Sequence, residues 1–124
     1  ELTFTGPGGE QVQSWLLRPA GLSEAEEEAA LSGTSGGKKY PLAVIYHGGP
    51  QGSTGDDWHY RWNLQSYASA GFAVLGVNFR GSTGFGHAYT RAISAKSGIG
   101  WNVGGEDTIA CVQHALREHG GGIG

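Results

Sequence analysis

The chain has no methionine and a single cysteine, Cys111, among 124 residues. One cysteine excludes an internal disulfide and favours a reducing compartment. With no initiator residue, and with Glu1 already inside a strand-like run "ELTFT", the chain reads as a piece of a longer protein. No charged-then-apolar leader opens it, so the cytoplasm is the favoured compartment. Basic residues are scarce: 8 Lys and Arg stand against 11 Asp and Glu, for a formal charge of -3. That balance offers no basic face to nucleic acid. No apolar run reaches the length of a membrane-spanning helix, so neither nucleic acid nor membrane is an expected partner.

Motif absences narrow the chemistry further. "GTSGGKK" is not a phosphate loop, since Ser32 replaces its first glycine and Lys39 its final Ser or Thr. No G-x-G-x-x-G occurs; the nearest spacings end in Gln11, Tyr89 and Val103. His47, His59, His87, His114 and His119 form neither H-E-x-x-H nor a Cys/His cluster and read as surface residues. No cofactor or metal is therefore expected. The one G-x-S-x-G match, Gly33 to Gly37, lacks the strand before and the helix after that a nucleophile elbow requires. Its flanks are "EEEAALS" and "KKYP", and Ser35 is set aside. Cys111, among apolar neighbours, reads as a small buried residue without an activating group.

What the chain has in excess is glycine, 24 residues, clustered between apolar runs where turns belong. "LTFT" and "VQSWLL" flank one cluster and predict an antiparallel hairpin over 1–18. Residues 19–39 read as a low-complexity acidic, Gly/Ser-rich insertion or loop, with Ser23 and Glu26 at capping-box spacing for a short helix. "PLAVIYH" and "FAVLGVNF" are continuous apolar runs, which predicts strands of a parallel sheet buried on both faces. Between them Leu64, Tyr67 and Ala68 mark a helix that Gly71 would end, giving a βαβ unit. A further helix is predicted over 106–118, with Ile109, Val112, Ala115 and Leu116 as its buried stripe. Glu106 and Asp107 would lie at its positive end, Arg117 and His119 near its negative end. A shorter helix is predicted around 87–95. The glycine-rich end "EHGGGIG" is expected to follow the helix with nothing packed after it.

The run 41–47 leaves its strand through His47-Gly48-Gly49-Pro50. Glycines there let another group approach the backbone, at the sheet edge where open α/β folds bind ligands. Two readings stand: a tight turn, or a loop whose N–H groups hold a developing oxyanion.

"YPLAVIYHGGPQGS", "WHYRWNLQSYASAGFAVLGVNFRGSTGFG" and "GGEDTIACVQHAL", in this order, resemble the catalytic domain of the prolyl oligopeptidase family of serine peptidases. The branch they are most similar to holds the acylaminoacyl-peptidases and related dipeptidyl-peptidases. The resemblance spans about residues 40–118, and residues 1–18 fit the hairpin before it. It implies an α/β-hydrolase fold and a Ser-His-Asp triad that attacks a peptide carbonyl. By the same resemblance Gly48 and Gly49 match the loop that supplies an oxyanion donor. His47 falls where other branches carry an oxyanion tyrosine, and it either shapes the hole or packs against the loop. Arg80, opening "RGSTGFG", is a candidate substrate-side residue, with a structural ion pair as the favoured alternative. Trp58, Tyr60, Arg61 and Trp62 match a family signature and read as packing at a helix entrance. "SAKSGIGWNVGGED" departs from the family spacing.

The expectation is thus a partial α/β-hydrolase fold: a hairpin, the insertion, and over 40–124 the N-terminal part of a peptidase domain that stops before the nucleophile elbow. The triad is expected downstream of Gly124, and a β-propeller is expected N-terminal to the domain. The expected function is hydrolysis of short peptides or acylated peptide N-termini, peptide being the partner. The alternatives are a fragment of an α/β-hydrolase esterase or lipase, and a truncated, non-catalytic product.

Overall fold

Either side of "GPGGE", β1 (Leu2–Thr5) and β2 (Gln11–Leu17) close into the expected antiparallel hairpin, with Phe4 opposite Val12. A computed structural model of the chain describes residues 1–31, 39–94, 100–120 and 122–124. The "GTSGG" run with Ser35 lies outside the described residues. Before it, α1 (Glu24–Leu31) is the short acidic helix that the capping spacing predicts. The Ser23 N–H donates to Glu26 Oε2 at 2.9 Å and the Glu26 N–H to Ser23 Oγ at 3.3 Å.

The two apolar runs become β3 (Leu42–Ile45) and β4 (Ala73–Asn78), parallel neighbours joined through α2 (Leu64–Ser69). Asn63 caps α2 by accepting the Gln65 N–H at 3.0 Å. The helix ends in a Schellman motif: the Phe72 N–H reaches Tyr67 O and the Gly71 N–H reaches Ala68 O, at 3.3 and 3.1 Å. The hairpin joins the same sheet, since β2 pairs antiparallel with β4. The order is β1-β2-β4-β3, so β4 is central and all six of its residues are buried.

Alternation along β4 gives each face its own cover. Leu75 and Val77 join Phe4 and Val12 beneath Val103, Cys111 and Ala115 of α4 (Asn102–His119). The opposite face lies under α2 and the segment before it. There Asn78 and Thr54 bond reciprocally: the Thr54 N–H donates to Asn78 Oδ1 at 2.7 Å and Asn78 Nδ2 donates to Thr54 O at 2.9 Å. Trp15 Nε1 also donates to Thr54 O, at 3.1 Å. α3 (His87–Arg91) is the helix predicted around 87–95, and residue 95 of that segment lies outside the described ones.

The structure corrects the sequence reading at several points. α4 starts at Asn102, and its buried residues are Val103, Gly104, Asp107, Thr108, Cys111 and Ala115. Ile109 and Leu116, expected in the core, are 62% and 40% exposed. The cause is Asp107, which faces inward to meet Arg80 and so fixes the rotation of the helix. Asp107 sits in the second turn rather than at the helix end, whereas Arg117 and His119 do lie in the last turn. β3 is not buried on both faces. It is the outer strand of the sheet among the described residues, and Val44 is exposed. The chain end is not bare either. Ile123 is buried and bridges Tyr40 in parallel, with Tyr40 N–H to Gly122 O and Gly124 N–H to Tyr40 O both at 3.0 Å.

Leu75→Ala should lower stability by about 3 kcal/mol, as expected for a fully buried leucine. Ile109→Ala should change it by less than about 0.5 kcal/mol. Urea denaturation of both variants checks the corrected face of α4, because equal losses would restore Ile109 to the core.

Candidate active site

At the carboxyl end of β3 the chain turns through Gly48 and Gly49, both exposed. Gly49 adopts φ +135°, a region that side-chain-bearing residues avoid, and a Cβ there would collide with the backbone of Gln51. Glycine is thus required by the turn itself. Among the described residues, neither the Gly48 nor the Gly49 N–H enters a hydrogen bond. Two adjacent exposed donors at a strand end form a place for an anion or a carbonyl oxygen.

His47 is anchored beneath this turn. Its ring stacks on Phe79 with centroids 4.5 Å apart and planes 10° from parallel. Its Nε2 lies 2.7 Å from Ser82 Oγ and its Nδ1 3.1 Å from Gly48 O. The Ser82 hydroxyl in turn lies 2.7 Å from Phe79 O. The Thr83 N–H donates to Gly52 O at 2.8 Å, a second tie between the glycine turn and the loop after β4. The structure therefore brings His47, Gly48 and Gly49 together. Their supports, Phe79 and Ser82, went unnoticed in the sequence reading, although both belong to the "NFRGS" run.

Arg80 sits on the far side of that loop, away from the glycine turn. It is buried, and its Nε and one Nη bond Asp107 at 2.7 to 3.1 Å, while its backbone N–H takes Asp107 Oδ2 at 2.8 Å. Glu10 and Glu106 approach the guanidinium at 3.7 and 3.9 Å from half-exposed positions. The hairpin turn presses so closely that a Cβ at Gly8 would overlap the guanidinium. The Asp107 hydrogen bond raises the Arg80 pKa against the opposing effect of burial. The favoured alternative for Arg80, a structural ion pair, is what this geometry forms, and Arg80 does not line the neighbouring cleft.

That cleft, about 470 Å³, opens beside the glycine turn between β3 and α2. Tyr46, His47, Gly48 and Thr54 line it on the side of the glycine turn; Trp62, Leu64 and Tyr67 line it on the α2 side, with Asp57 and His59 also lining it. His59 Nδ1 accepts the N–H groups of Arg61 and Trp62 at 3.1 and 3.0 Å and so shapes the entrance to α2. The packing read for the aromatic signature does not hold. Trp58 and Tyr60 are 68% and 97% exposed and touch each other edge to face, and Trp62 alone of the signature lines the cleft.

Cys111 and Tyr89 are bound into the core. Burial raises the pKa of the Cys111 thiol, which donates to Ser14 Oγ at 3.3 Å. Burial also raises that of the Tyr89 phenol, which donates to Asn78 O at 2.7 Å. His114 is half-buried against Phe4. His119 is half-buried as well, and desolvation lowers its pKa. Neither is the surface residue expected. Among the described residues no group of three His, Cys, Asp or Glu could hold a metal ion, and no helix is long and apolar enough to cross a membrane.

The family description "Prolyl oligopeptidase family" matches residues 58–120. Dipeptidyl-peptidase 5 of Schizosaccharomyces pombe is 38% identical over 94 residues, which are 76% of this chain and 12% of that protein. Dipeptidyl-peptidase 5 of Arthroderma otae is 40% identical over 84 residues, 68% of this chain and 10% of that one. The chain thus spans about an eighth or less of the curated relatives it matches. Among solved structures, a puromycin-hydrolyzing peptidase of Mycobacterium tuberculosis superposes with TM-score 0.71 and 27% identity, over 99% of this chain and 16% of that one. An acylaminoacyl peptidase of Pyrococcus horikoshii gives TM-score 0.73 at 23% identity, over 98% and 17%, and bears on the fold alone. The fold is that of the α/β-hydrolase peptidases.

Asp107→Asn leaves the Arg80 cation buried without its counter-charge and should cost about 3 kcal/mol or more. Glu10→Gln removes only a half-exposed charge and should cost less than about 0.5 kcal/mol. Thermal and urea unfolding of the two variants separates the roles.

Proposed function

Because the chain belongs to the prolyl oligopeptidase family, we propose that it carries the oxyanion-loop part of a serine peptidase that hydrolyses short peptides or acylated peptide N-termini. The observation that carries this reading is the pair of exposed glycines, Gly48 and Gly49, at the carboxyl end of β3, whose N–H groups enter no hydrogen bond among the described residues. They would receive the carbonyl oxygen of the scissile peptide as it gains negative charge. His47, stacked on Phe79 and held by Ser82, would keep the turn in place.

The nucleophile, base and orienting carboxylate are proposed to follow Gly124. The Tyr40–Ile123 bridge supports this order. It starts a parallel pairing on the outer edge of β3, so a strand continuing from it would run toward the level of His47. A serine on a sharp turn at that strand's end would stand beside the glycine turn. An N-terminal β-propeller that screens substrates by size remains part of the proposal, as does a domain order in which the hairpin and residues 40–124 share one peptidase domain. Residues 1–124 alone would then be inactive, since a donor pair without a nucleophile cannot open an acyl-transfer path.

Purified residues 1–124 should give no turnover of dipeptidyl or acyl-peptide amides. The chain extended through the downstream coding sequence should cleave them, and Gly49→Ala in that longer protein should lower kcat about 100-fold. Turnover by the short chain, or an extended protein that cleaves only esters, would overturn the reading.

A further inference from the structure

His59 lines the cleft beside the glycine turn, and one side of its ring is already committed. The N–H groups of Arg61 and Trp62 donate to Nδ1 at 3.1 and 3.0 Å. An atom that accepts two hydrogens carries none, so the ring hydrogen of the neutral imidazole sits on Nε2. Among the described residues Nε2 enters no hydrogen bond. One donor of known identity is thus left at the cleft. Two residues before it, Asp57 lines the same cleft, and a carboxylate offers acceptors only. No Lys, Arg or Glu lines the cleft among the described residues, so Asp57 sets the sign of the charge there. Beside this donor and acceptor stand Trp62, Leu64 and Tyr67, an apolar and aromatic surface. The cleft volume, about 470 Å³, falls in the range of small-ligand sites, roughly 300–1,000 Å³.

From this set we propose that Asp57 and His59 form a specificity-determining pair, which accepts the amide of a peptide residue with an apolar side chain and rejects a free carboxylate. An amide carries an acceptor oxygen and a donor N–H, which match the His59 Nε2–H and the Asp57 carboxylate. The side chain of the same residue lies against Trp62, Leu64 and Tyr67. A carboxylate in that place keeps the acceptor but lacks the donor. Its charge also meets that of Asp57, with no Lys or Arg lining the cleft to offset it. Gly48 lines the same cleft, so the residue read here flanks the peptide bond whose oxygen the glycine turn receives. The substrate is then gripped within its chain and not by its carboxyl end. That flanking place rests on the peptidase reading above, whereas recognition of an amide in the cleft does not.

The test is an NMR titration of the 15N-labelled 124-residue chain with two probes, N-acetylphenylalanine amide and N-acetylphenylalanine. At neutral pH they differ only in an amide against a carboxylate. The amide probe should shift the Trp62 indole N–H, which is identified by its loss in Trp62→Phe. The indole of Trp58, which does not line the cleft, should stay in place. The amide should bind at least about fivefold more tightly than the carboxylate, the size expected for one hydrogen bond. Asp57→Asn should close that gap by raising the affinity for the carboxylate. His59→Asn should weaken the amide about fivefold. Its Oδ1 takes the place of Nδ1 and keeps the Arg61 and Trp62 bonds, but no donor stands at the Nε2 position. Both residues are exposed, so neither change disturbs the core. Equal affinities for the two probes would overturn the pair. So would an unmoved Trp62 indole, a gap that persists in Asp57→Asn, or an amide affinity unchanged in His59→Asn. No turnover is read, so failure of the peptidase reading would leave this result standing.

Discussion

The Arg80–Asp107 pair links the end of the central strand to the helix that covers it. Asp107 is fully buried and takes hydrogen bonds from the Arg80 side chain and from the Arg80 backbone N–H. Such a pair gains little over a well-packed apolar contact, but losing one member leaves an unmatched buried charge. Its structural effect exceeds its net energy. It sets the rotation of α4, and through the backbone bond it fixes where β4 ends and the next loop begins. Phe79 and Ser82 flank Arg80 in that loop, and they are the two groups on which His47 rests. The glycine turn thus inherits its position from an ion pair on the far side of the strand end.

Two layers of support meet at the turn, and they differ in kind. The floor is apolar and stacked, with His47 on Phe79 and Tyr46 tilted against the same ring at 5.1 Å. The lateral ties are hydrogen bonds to Ser82 and from Thr83. Tyr46 adds a third direction, its hydroxyl donating to Gly104 O on α4 at 2.8 Å. The exposed donors of Gly48 and Gly49 are therefore presented by a backbone held from below and from the side. Preorganised donors of this sort need no rearrangement when charge develops on a bound oxygen.

Sequence patterns disclosed the features set by near neighbours. The hairpin, the capping box of α1, the glycine that ends α2 and the βαβ unit all follow from turn chemistry and periodicity over a few residues. The two glycines of the turn were legible for the same reason. The rotation of α4 was not. A stripe count assumes that apolar residues face inward, and Asp107 breaks that assumption for a partner 27 positions away. The exposure of β3 was hidden too, since an apolar run reads alike at the centre and at the edge of a sheet. His47 could be singled out, but its hydrogen-bond series runs through Ser82, 35 positions on, where no local pattern points.

The strand order has a consequence for the insertion between β2 and β3. Because β2 pairs with β4 rather than with β3, the connection closed by that pairing runs from residue 18 to residue 72. The entropy of closing a loop grows only with the logarithm of its length. Even for the shorter connection from β2 to β3, doubling its length would add only about 0.6 kcal/mol to the closure cost. Its tie to the rest of the described chain includes a surface pair, Arg18 with Glu27 at 3.2 Å, of a kind that contributes little. That segment can therefore lengthen at a cost of tenths of a kcal/mol while the turn at Gly48 and Gly49 stays where it is.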